Sequence, residues 1–356
     1  MSQLGITMPT RTAAMSRFPE YARWAEEAGF DSVWDYELYR NPYAMLCTAA
    51  LSTNHVTLAT GLAGAFPRSP FAAANEAADV DELSSGRTLV GLGTGVPEFL
   101  AAFHSQGFEK PVARMRDYIT CMRLSWEYLA TGQADSYDGA HYQFNAPPFN
   151  PWGLRTMARP RIPIYVASLG PVMTRLAGEI GDGWMAYLAT PDWVEQHTRP
   201  LLAEGAKRSG RDPDELDLAV EVICSVSSDR DVAYRRARLH VGFYVAHPVS
   251  DAVIALHGLE AERDAVRQAM MTKGLDGLSE TSDKLVEQFS ITGTPEEARQ
   301  KLESWKSIPH VVLHTPYTPP LTAEESEDAY RGIIDAFARP GAASVGPATT
   351  GGATRA

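Results

Sequence analysis

Apolar residues recur in two alternating rhythms along this chain: short continuous runs, then stripes spaced i, i+3, i+4, i+7. Gln3–Thr7 is a run of the first kind. Phe18, Tyr21, Ala22 and Ala25 form a stripe of the second kind, closed by Gly29, so the two predict a strand and then a helix. The pair repeats. Asp31–Asp35 predicts a second strand and Tyr43, Leu46, Cys47 and Ala50 one face of a helix from Pro42 to Leu51. Val56–Thr60 predicts a third strand, left by a glycine- and proline-marked loop from Gly61 to Pro70. Ala73, Ala77, Val80 and Leu83 mark the next helix, Gly86 stops it, and Thr88–Val90 predicts a fourth strand.

Beyond it the pattern predicts a long helix from Val112 to Leu129 and a hairpin over Tyr137–Phe144 turning at Asp138-Gly139. A proline-rich surface excursion, Ala146–Pro160, follows. Strand character returns at Ile162–Ala167, Gly183–Tyr187, Leu216–Val226 and His310–His314. Helices are expected between the first two of these, over Trp193–Arg208, and over Ala323–Ala338. Eight strands alternating with helices predict a closed (β/α)8 TIM barrel, an α/β fold, with an open doubly wound sheet as the alternative. Asp229–Phe289 is far longer than an ordinary crossover and helical in pattern, so it reads as an inserted helical segment between strand seven and strand eight. The expected organisation is one barrel domain over 1–338, carrying the insertion 229–289, and a disordered tail over 339–356, where glycine, alanine, serine and threonine dominate.

Composition narrows the function classes. Forty-four acidic against 32 basic residues give a net charge of −12, which repels nucleic-acid backbones and anionic lipid, so neither nucleic acid nor membrane is an expected partner. Cys47, Cys121 and Cys224 are far apart and show no C-x-x-C spacing, which predicts neither disulfide nor zinc. The first residues lack a basic-then-apolar leader, and no apolar run approaches membrane-spanning length. A cytoplasmic location is the expectation.

In such a barrel the chemistry sits at the carboxyl ends of the strands. The fourth strand runs into Gly91-Leu92-Gly93-Thr94-Gly95, where missing side chains let a ligand or another backbone come close and free amides to face an anion. The dinucleotide fingerprint G-x-G-x-x-G fails here, because its third glycine would fall on Val96. His310 and His314 are four apart but on a strand, so they do not read as a metal pair, and no metal is expected. His314 reads either as a proton donor or acceptor or as a rim histidine satisfied by backbone. Glu221, inside an apolar strand, reads either as a tuned acid or, preferably, as the partner of a barrel arginine or lysine. Neither a G-x-S-x-G elbow nor a Walker-type loop occurs, so hydrolysis and nucleoside triphosphate chemistry have no support.

Several stretches together resemble the luciferase-like flavin-dependent oxidoreductases, a family of (β/α)8 barrels, over most of residues 1–338. Ala25-Glu26-Glu27-Ala28-Gly29-Phe30-Asp31-Ser32-Val33-Trp34 is similar to that family's entry into its second strand, and Arg68-Ser69-Pro70 to its R-H-P. Leu83-Ser84-Ser85-Gly86-Arg87 followed by Gly91-Leu92-Gly93-Thr94-Gly95 resembles its L-S-x-G-R and G-x-G-x-G pattern. Ile162–Pro171, Ala177–Trp184 and Thr292–Glu297 resemble members that use the deazaflavin F420 or features common to the family. The resemblance implies an F420-dependent oxidoreductase acting on a small-molecule substrate; the alternatives are an FMN-dependent monooxygenase fed by a separate reductase, or a cofactor-binding protein without turnover. It also implies a homodimer. The cofactor ring would rest on a bulge at Gly61-Leu62, where family members often carry a non-prolyl cis peptide. Its phosphate-bearing tail would lie near Gly93, Thr94 and Gly95 and near Ser168, Leu169 and Gly170. Glu37 and His314 are the implied proton-handling residues. Where family members place an aspartate and then a histidine after the second strand, this chain has Glu37 and Leu38, and the glutamate of sugar-phosphate-oxidising members is replaced by Val96.

Overall fold

The structure, a computed structural model, describes residues 2–9, 14–148 and 150–340. Eight parallel strands close into a barrel: β1 Gln3–Thr7, β2 Ser32–Asp35, β3 Thr57–Gly64, β4 Thr88–Gly93, β5 Ile164–Ala167, β6 Gly183–Tyr187, β7 Asp217–Val226 and β8 His310–His314. Each pairs with its successor, and β8 returns to β1 in the register Gln3↔His310 to Ile6↔Leu313, so the ring has no open edge. The closed barrel, rather than the open sheet, is therefore the fold. The predicted tail lies outside the described residues from 341 onward.

Outside the sheet, a helix at Pro97–His104 was not expected. Three differences from the sequence reading concern the sheet. β3 runs on to Gly64 and β4 to Gly93, through glycines read as turn; the two strands stay paired across a register shift between Thr60 and Ala63. The physical reason is packing. A Cβ on Gly91 would lie 2.2 Å from the Thr60 carbonyl oxygen and 2.4 Å from Met185 Sδ, so this glycine lets a strand pass through a crowded interior instead of ending it. The third difference is an extra strand, Ser290–Gly293, which pairs with Ile223–Val226 at the far end of the ten-residue β7.

Helices cover the barrel, started by the caps their sequences carry. Asn41 Oδ1 accepts from the Tyr43 amide, Ser69 Oγ from the Ala72 amide, and Thr294/Glu297 and Thr322/Glu325 form reciprocal capping boxes. The segment between β7 and the extra strand contains the helices Arg230–Val245, Asp251–Leu256, Glu260–Lys273 and Asp283–Phe289. The first packs Leu239, His240, Val241 and Val245 against the barrel. Among the described residues no single helix is long and apolar enough to cross a membrane.

Inside the ring, side chains alternate inward with the strand period of two. One inward level is built from Trp34, Ala59, Leu89, Tyr165, Met185, Ala219 and Val312, one residue from each of β2 to β8. Gly5 on β1 makes room for it, since a Cβ there would sit 2.8 Å from Trp34 Nε1. Below, Trp34 Nε1 donates to Ser32 Oγ, which lies 2.7 Å from His310 Nε2. This polar floor is dry: His310 is buried, and burial pushes its pKa down from 6.5 to about 4.

His310 is thus neutral in the fold, while the unfolded chain takes up a proton on it as pH falls below 6.5. The unfolded state binds more protons in the window from 6.5 to 4, so stability falls as pH falls through it. In His310→Gln the urea midpoint should change less between those pH values than in the parent chain; an identical slope would exclude His310 as the titrating group.

Candidate active site

Two residues beyond the inward level just described, the same period aims the next level at the carboxyl mouth. It consists of Tyr36 just past β2, Gly61 from β3, Gly91 from β4, Ala167 from β5, Tyr187 from β6, Glu221 from β7 and His314 from β8. The level is lopsided, with glycine and alanine on the β3–β5 side and ionisable or hydroxyl side chains on the β6–β8 side. At this end of the barrel lies a cavity of about 170 Å³ lined by Tyr36, Gly61, Ala167, Tyr187, Glu221 and His314 of this level, whose other walls include Glu37, Leu38 and Leu62.

The floor of the cavity is the β3 bulge. The Gly61–Leu62 peptide is cis and non-prolyl, and Leu62 lines the cavity. Two close approaches depend on glycine here. A Cβ on Gly61 would lie 2.0 Å from Glu221 Oε1 and 2.8 Å from Trp34 Cε3, and one on Gly93 would lie 2.5 Å from Leu62 Cδ2. Gly93 therefore clears space for the Leu62 side chain, a reason the sequence reading, which reserved that space for a ligand tail, did not contain.

Glu221, which lies against Gly61, has its Oε2 3.0 Å from His314 Nδ1, both side chains almost fully buried. The partner of Glu221 is thus a histidine, not the arginine or lysine preferred from sequence, and the partner of His314 is a carboxylate, not backbone. Burial pushes the Glu221 carboxyl up, and the hydrogen bond and charge of His314 pull it back. The pair keeps each histidine nitrogen in a distinct role: Nδ1 is tied to Glu221, and Nε2 has no hydrogen-bond partner among the described residues. Glu221 Oε1 and the Tyr187 hydroxyl are likewise buried without partners. Buried polar atoms are usually satisfied, so three such atoms on residues of one cavity mark a place where a ligand completes the hydrogen bonding.

Aromatic rings frame the pair. Tyr36 lies 5.2 Å from the His314 ring and stacks on Tyr317 at 5.0 Å, Tyr187 stands edge-on to His314 at 4.8 Å, and His240 from the inserted segment stacks on His314 at 5.4 Å. Tyr244 and Tyr317 share a hydroxyl–hydroxyl hydrogen bond. Burial drives the phenols of Tyr187 and Tyr317 well above the usual range and that of Tyr244 up to about 12, so all three are neutral donors at any working pH.

Glu37 lines the same cavity but is fully engaged. Arg68 meets it in a two-pronged pair, Nη2 to Oε1 at 2.7 Å and Nη1 to Oε2 at 2.8 Å, and the Gly64 amide donates to Oε2 at 2.6 Å. Arg68 also reaches Glu76 at 3.1 Å. The structure thus brings Glu37, Gly61, Leu62 and His314 together at one cavity. Gly93, Thr94 and Gly95 lie at the exit of β4, where Thr94 Oγ1 donates to the Gly95 carbonyl. Ser168 Oγ is held between Thr174 Oγ1 at 2.9 Å and Trp184 Nε1 at 3.0 Å. Leu169 and Gly170 border a second, apolar groove of about 750 Å³ walled by Trp193, Val249 and Leu256, and a Cβ on Gly170 would meet nothing within 4 Å. Among the described residues no cluster of three or more His, Cys, Asp or Glu is arranged to hold a metal ion.

Comparison with known sequences gives the family. The sequence pattern described as "Luciferase-like monooxygenase" matches residues 2–309. The chain belongs to the luciferase-like monooxygenase family. Within it, a 5,10-methylenetetrahydromethanopterin reductase of Archaeoglobus fulgidus is 33% identical over 312 residues, covering 84% of this chain and 89% of the relative. One from Methanolobus tindarius is 30% identical over 315 residues, covering 85% and 91%. Among solved structures, the coenzyme F420-dependent tetrahydromethanopterin reductase of Methanopyrus kandleri superposes with a TM-score of 0.77 at 25% identity, over 94% of this chain and 99% of that one. An F420-dependent secondary alcohol dehydrogenase, at 22% identity and a TM-score of 0.72 over 94% and 99%, shares the luciferase-like fold.

Gly61→Ala tests the close approach on which the cavity floor depends. The added methyl overlaps a carboxylate oxygen that is itself buried, so we expect a destabilisation of about 1–3 kcal/mol in denaturant unfolding, typical of overpacking. An unchanged unfolding midpoint would place Glu221 elsewhere in solution.

Proposed function

We propose that this luciferase-like protein is an F420-dependent oxidoreductase that moves a hydride between the deazaflavin ring and a small organic substrate at the carboxyl mouth of the barrel. When bound, the deazaflavin supplies a carbon centre that accepts or gives a hydride. The observation that carries the reading is the buried His314–Glu221 pair, with His314 Nε2 unpartnered, at one small cavity shared with the Gly61–Leu62 bulge. The residues fit a flat heterocycle. Leu62 and Ala167 supply apolar surface, and the unpartnered polar atoms of His314 and Tyr187 line the same cavity to receive ring or substrate heteroatoms. Gly93, Thr94 and Gly95, with Ser168, Leu169 and Gly170, would hold the phosphate-bearing tail, which the open space at Gly170 accommodates. The likeness to the coenzyme F420-dependent reductase of Methanopyrus kandleri supports the same cofactor class.

In this reading His314 holds or releases the proton at Nε2, and Glu221 balances the imidazolium charge through Nδ1. A histidine so placed can serve the reaction in either direction. Glu37 is the second candidate for proton handling; its pairing with Arg68 and the Gly64 amide supports instead a role in holding the exit of β2 against the β3 bulge. The variants separate the two. His314→Gln should lower turnover by roughly 100-fold or more, the low end of a general acid–base contribution, with little change in cofactor affinity. Should Glu37→Gln show that pattern and His314→Gln not, the proton passes through Glu37.

The family's monooxygenase description favours one rival, FMN chemistry with molecular oxygen. Equilibrium dialysis against both cofactors decides between them: F420 should bind at least tenfold more tightly than FMN, a gap of about 1.4 kcal/mol. Preference for FMN, or oxygenation of substrate with reduced flavin, would replace this reading with the monooxygenase one.

A further inference from the structure

His240, from the inserted helix Arg230–Val245, is fully buried and lies nearly parallel to His314, with ring centroids 5.4 Å apart and planes at 23°. Two imidazoles stacked this closely away from water compete for one proton, because two imidazolium charges at that separation repel strongly. Their partners decide between them. His314 Nδ1 faces a carboxylate oxygen of Glu221 at 3.0 Å, so that nitrogen holds the hydrogen, and a second proton on Nε2 makes a cation that Glu221 meets. His240 Nδ1 faces donors instead. The Tyr317 amide, which can only donate, points to it at 3.4 Å, and the Thr318 hydroxyl lies 2.6 Å away. That nitrogen therefore carries no hydrogen, and the ring's own hydrogen stands on Nε2. A proton added at Nδ1 would set N–H against N–H inside the protein, where a lost hydrogen bond is costly.

The remaining neighbours leave this difference intact. The rings of Tyr187, Tyr244 and Tyr317 stand 6.4, 5.1 and 4.7 Å from that of His240, and burial keeps all three phenols protonated. Tyr36 faces His314 at 5.2 Å. One turn before His240 on the same helix, the buried Arg236 pairs with Asp328 at 2.5 Å, and on the cavity wall Glu37 pairs with Arg68. The carboxylate that meets the stacked pair is thus Glu221, and it meets His314.

We propose that His240 is a positioning residue for the acid–base group. Held as the uncharged Nε2–H tautomer by the Tyr317–Thr318 segment, it presents a neutral face to His314, so that a proton arriving at the pair settles on His314 Nε2. The inference deepens the hydride-transfer reading above and rests on it for the use made of that proton. In that reading the proton that accompanies the hydride forms its N–H bond at His314 Nε2, Glu221 balances the new charge, and His240 gains and loses nothing.

Imidazole NMR of the full-length protein labelled with 15N-histidine reads both rings without cofactor or substrate. The two are assigned by the signals lost in His240→Phe and His314→Gln. His240 should show hydrogen on Nε2 and a bare Nδ1, and His314 hydrogen on Nδ1; acidification should charge His314 while His240 stays neutral as long as the protein is folded. His240→Phe keeps an uncharged ring in the stack. The pH at which His314 becomes charged should therefore stay within about 0.3 unit of the parent's, whereas removal of a neighbour that had held or shared the proton would raise it by about one unit or more. Such a rise overturns the inference. So does hydrogen on His240 Nδ1 in the parent, or His240 charging before or together with His314. The tautomers and the order of charging are read in the parent protein, so they decide the matter even where His240→Phe folds poorly. If F420 fails to bind in dialysis while both rings behave as stated, the cofactor reading falls and the proton assignment stands; if F420 binds and His240 carries the charge, the assignment alone falls.

Discussion

Everything at the mouth depends on closure of the sheet, the pairing of β8 with β1. Once the ring is shut, every strand must send alternate side chains into a space of fixed width, and each inward level has to be filled or left hollow. The level containing Trp34 and Tyr165 is filled, helped by the absence of a side chain at Gly5. The level above it is only partly filled: Glu221 and Trp34 close over Gly61, Met185 closes over Gly91, and a cavity remains beside Leu62, Ala167, Tyr187 and His314. The cavity is a property of the barrel's spacing and of the side chains that the small residues admit.

Placing an ionisable pair in that level has an energetic consequence. Two buried groups lose water, and the loss is offset only while they meet each other; removing one partner of such a pair typically costs about 3–5 kcal/mol. Glu221 and His314 belong to adjacent strands, with Glu221 registered against Val312 and Ile223 against His314, so the barrel itself sets their separation. The lower histidine shows the contrasting solution. His310, four residues earlier on β8 and facing the other end, meets the Ser32 hydroxyl and stays uncharged. One strand thus carries an inert imidazole at its start and a carboxylate-paired one at its end, and their surroundings alone distinguish them.

Much of this was legible in the sequence. The alternation of runs and stripes located all eight barrel strands, six of them ending where expected at Thr7, Asp35, Ala167, Tyr187, Val226 and His314, because apolar periodicity reports which face is buried. Gly61, Leu62, Glu37 and His314 were singled out, and they share a cavity. The pairing of Glu221 with His314 was not legible, since it depends on which strands become neighbours when the ring closes. A signal was nevertheless present: counting two residues onward from Trp34, Met185, Ala219 and Val312 gives Tyr36, Tyr187, Glu221 and His314. The glycines of β3 and β4 misled because a glycine that ends a strand and one that lets strands crowd together look alike in sequence; only the Thr60 carbonyl and Met185 sulfur against Gly91 tell them apart. His240 was hidden by distance along the chain, arriving from the inserted helix at Arg230–Val245.

The extra strand Ser290–Gly293 gives that inserted segment an unusual boundary condition. The chain leaves the sheet at the end of β7 and comes back beside the same end, so departure and return are fastened to one another by backbone hydrogen bonds. The segment is in effect a loop whose two ends meet at one point on the barrel, and the entropy of closing such a loop rises only with the logarithm of its length. Residues near the fastening, including the helix that delivers His240 and Tyr244, are held in place by the sheet. Those farthest from it along the chain fold back onto that helix: a Cβ on Gly242 would meet Thr281 Oγ1 at 2.1 Å and Leu278 Cδ2 at 3.3 Å, and Arg267 Nε donates to the Ala246 carbonyl. The cavity wall is thus braced from outside by the middle of the same loop, and the whole is fastened at its root by a strand of four residues.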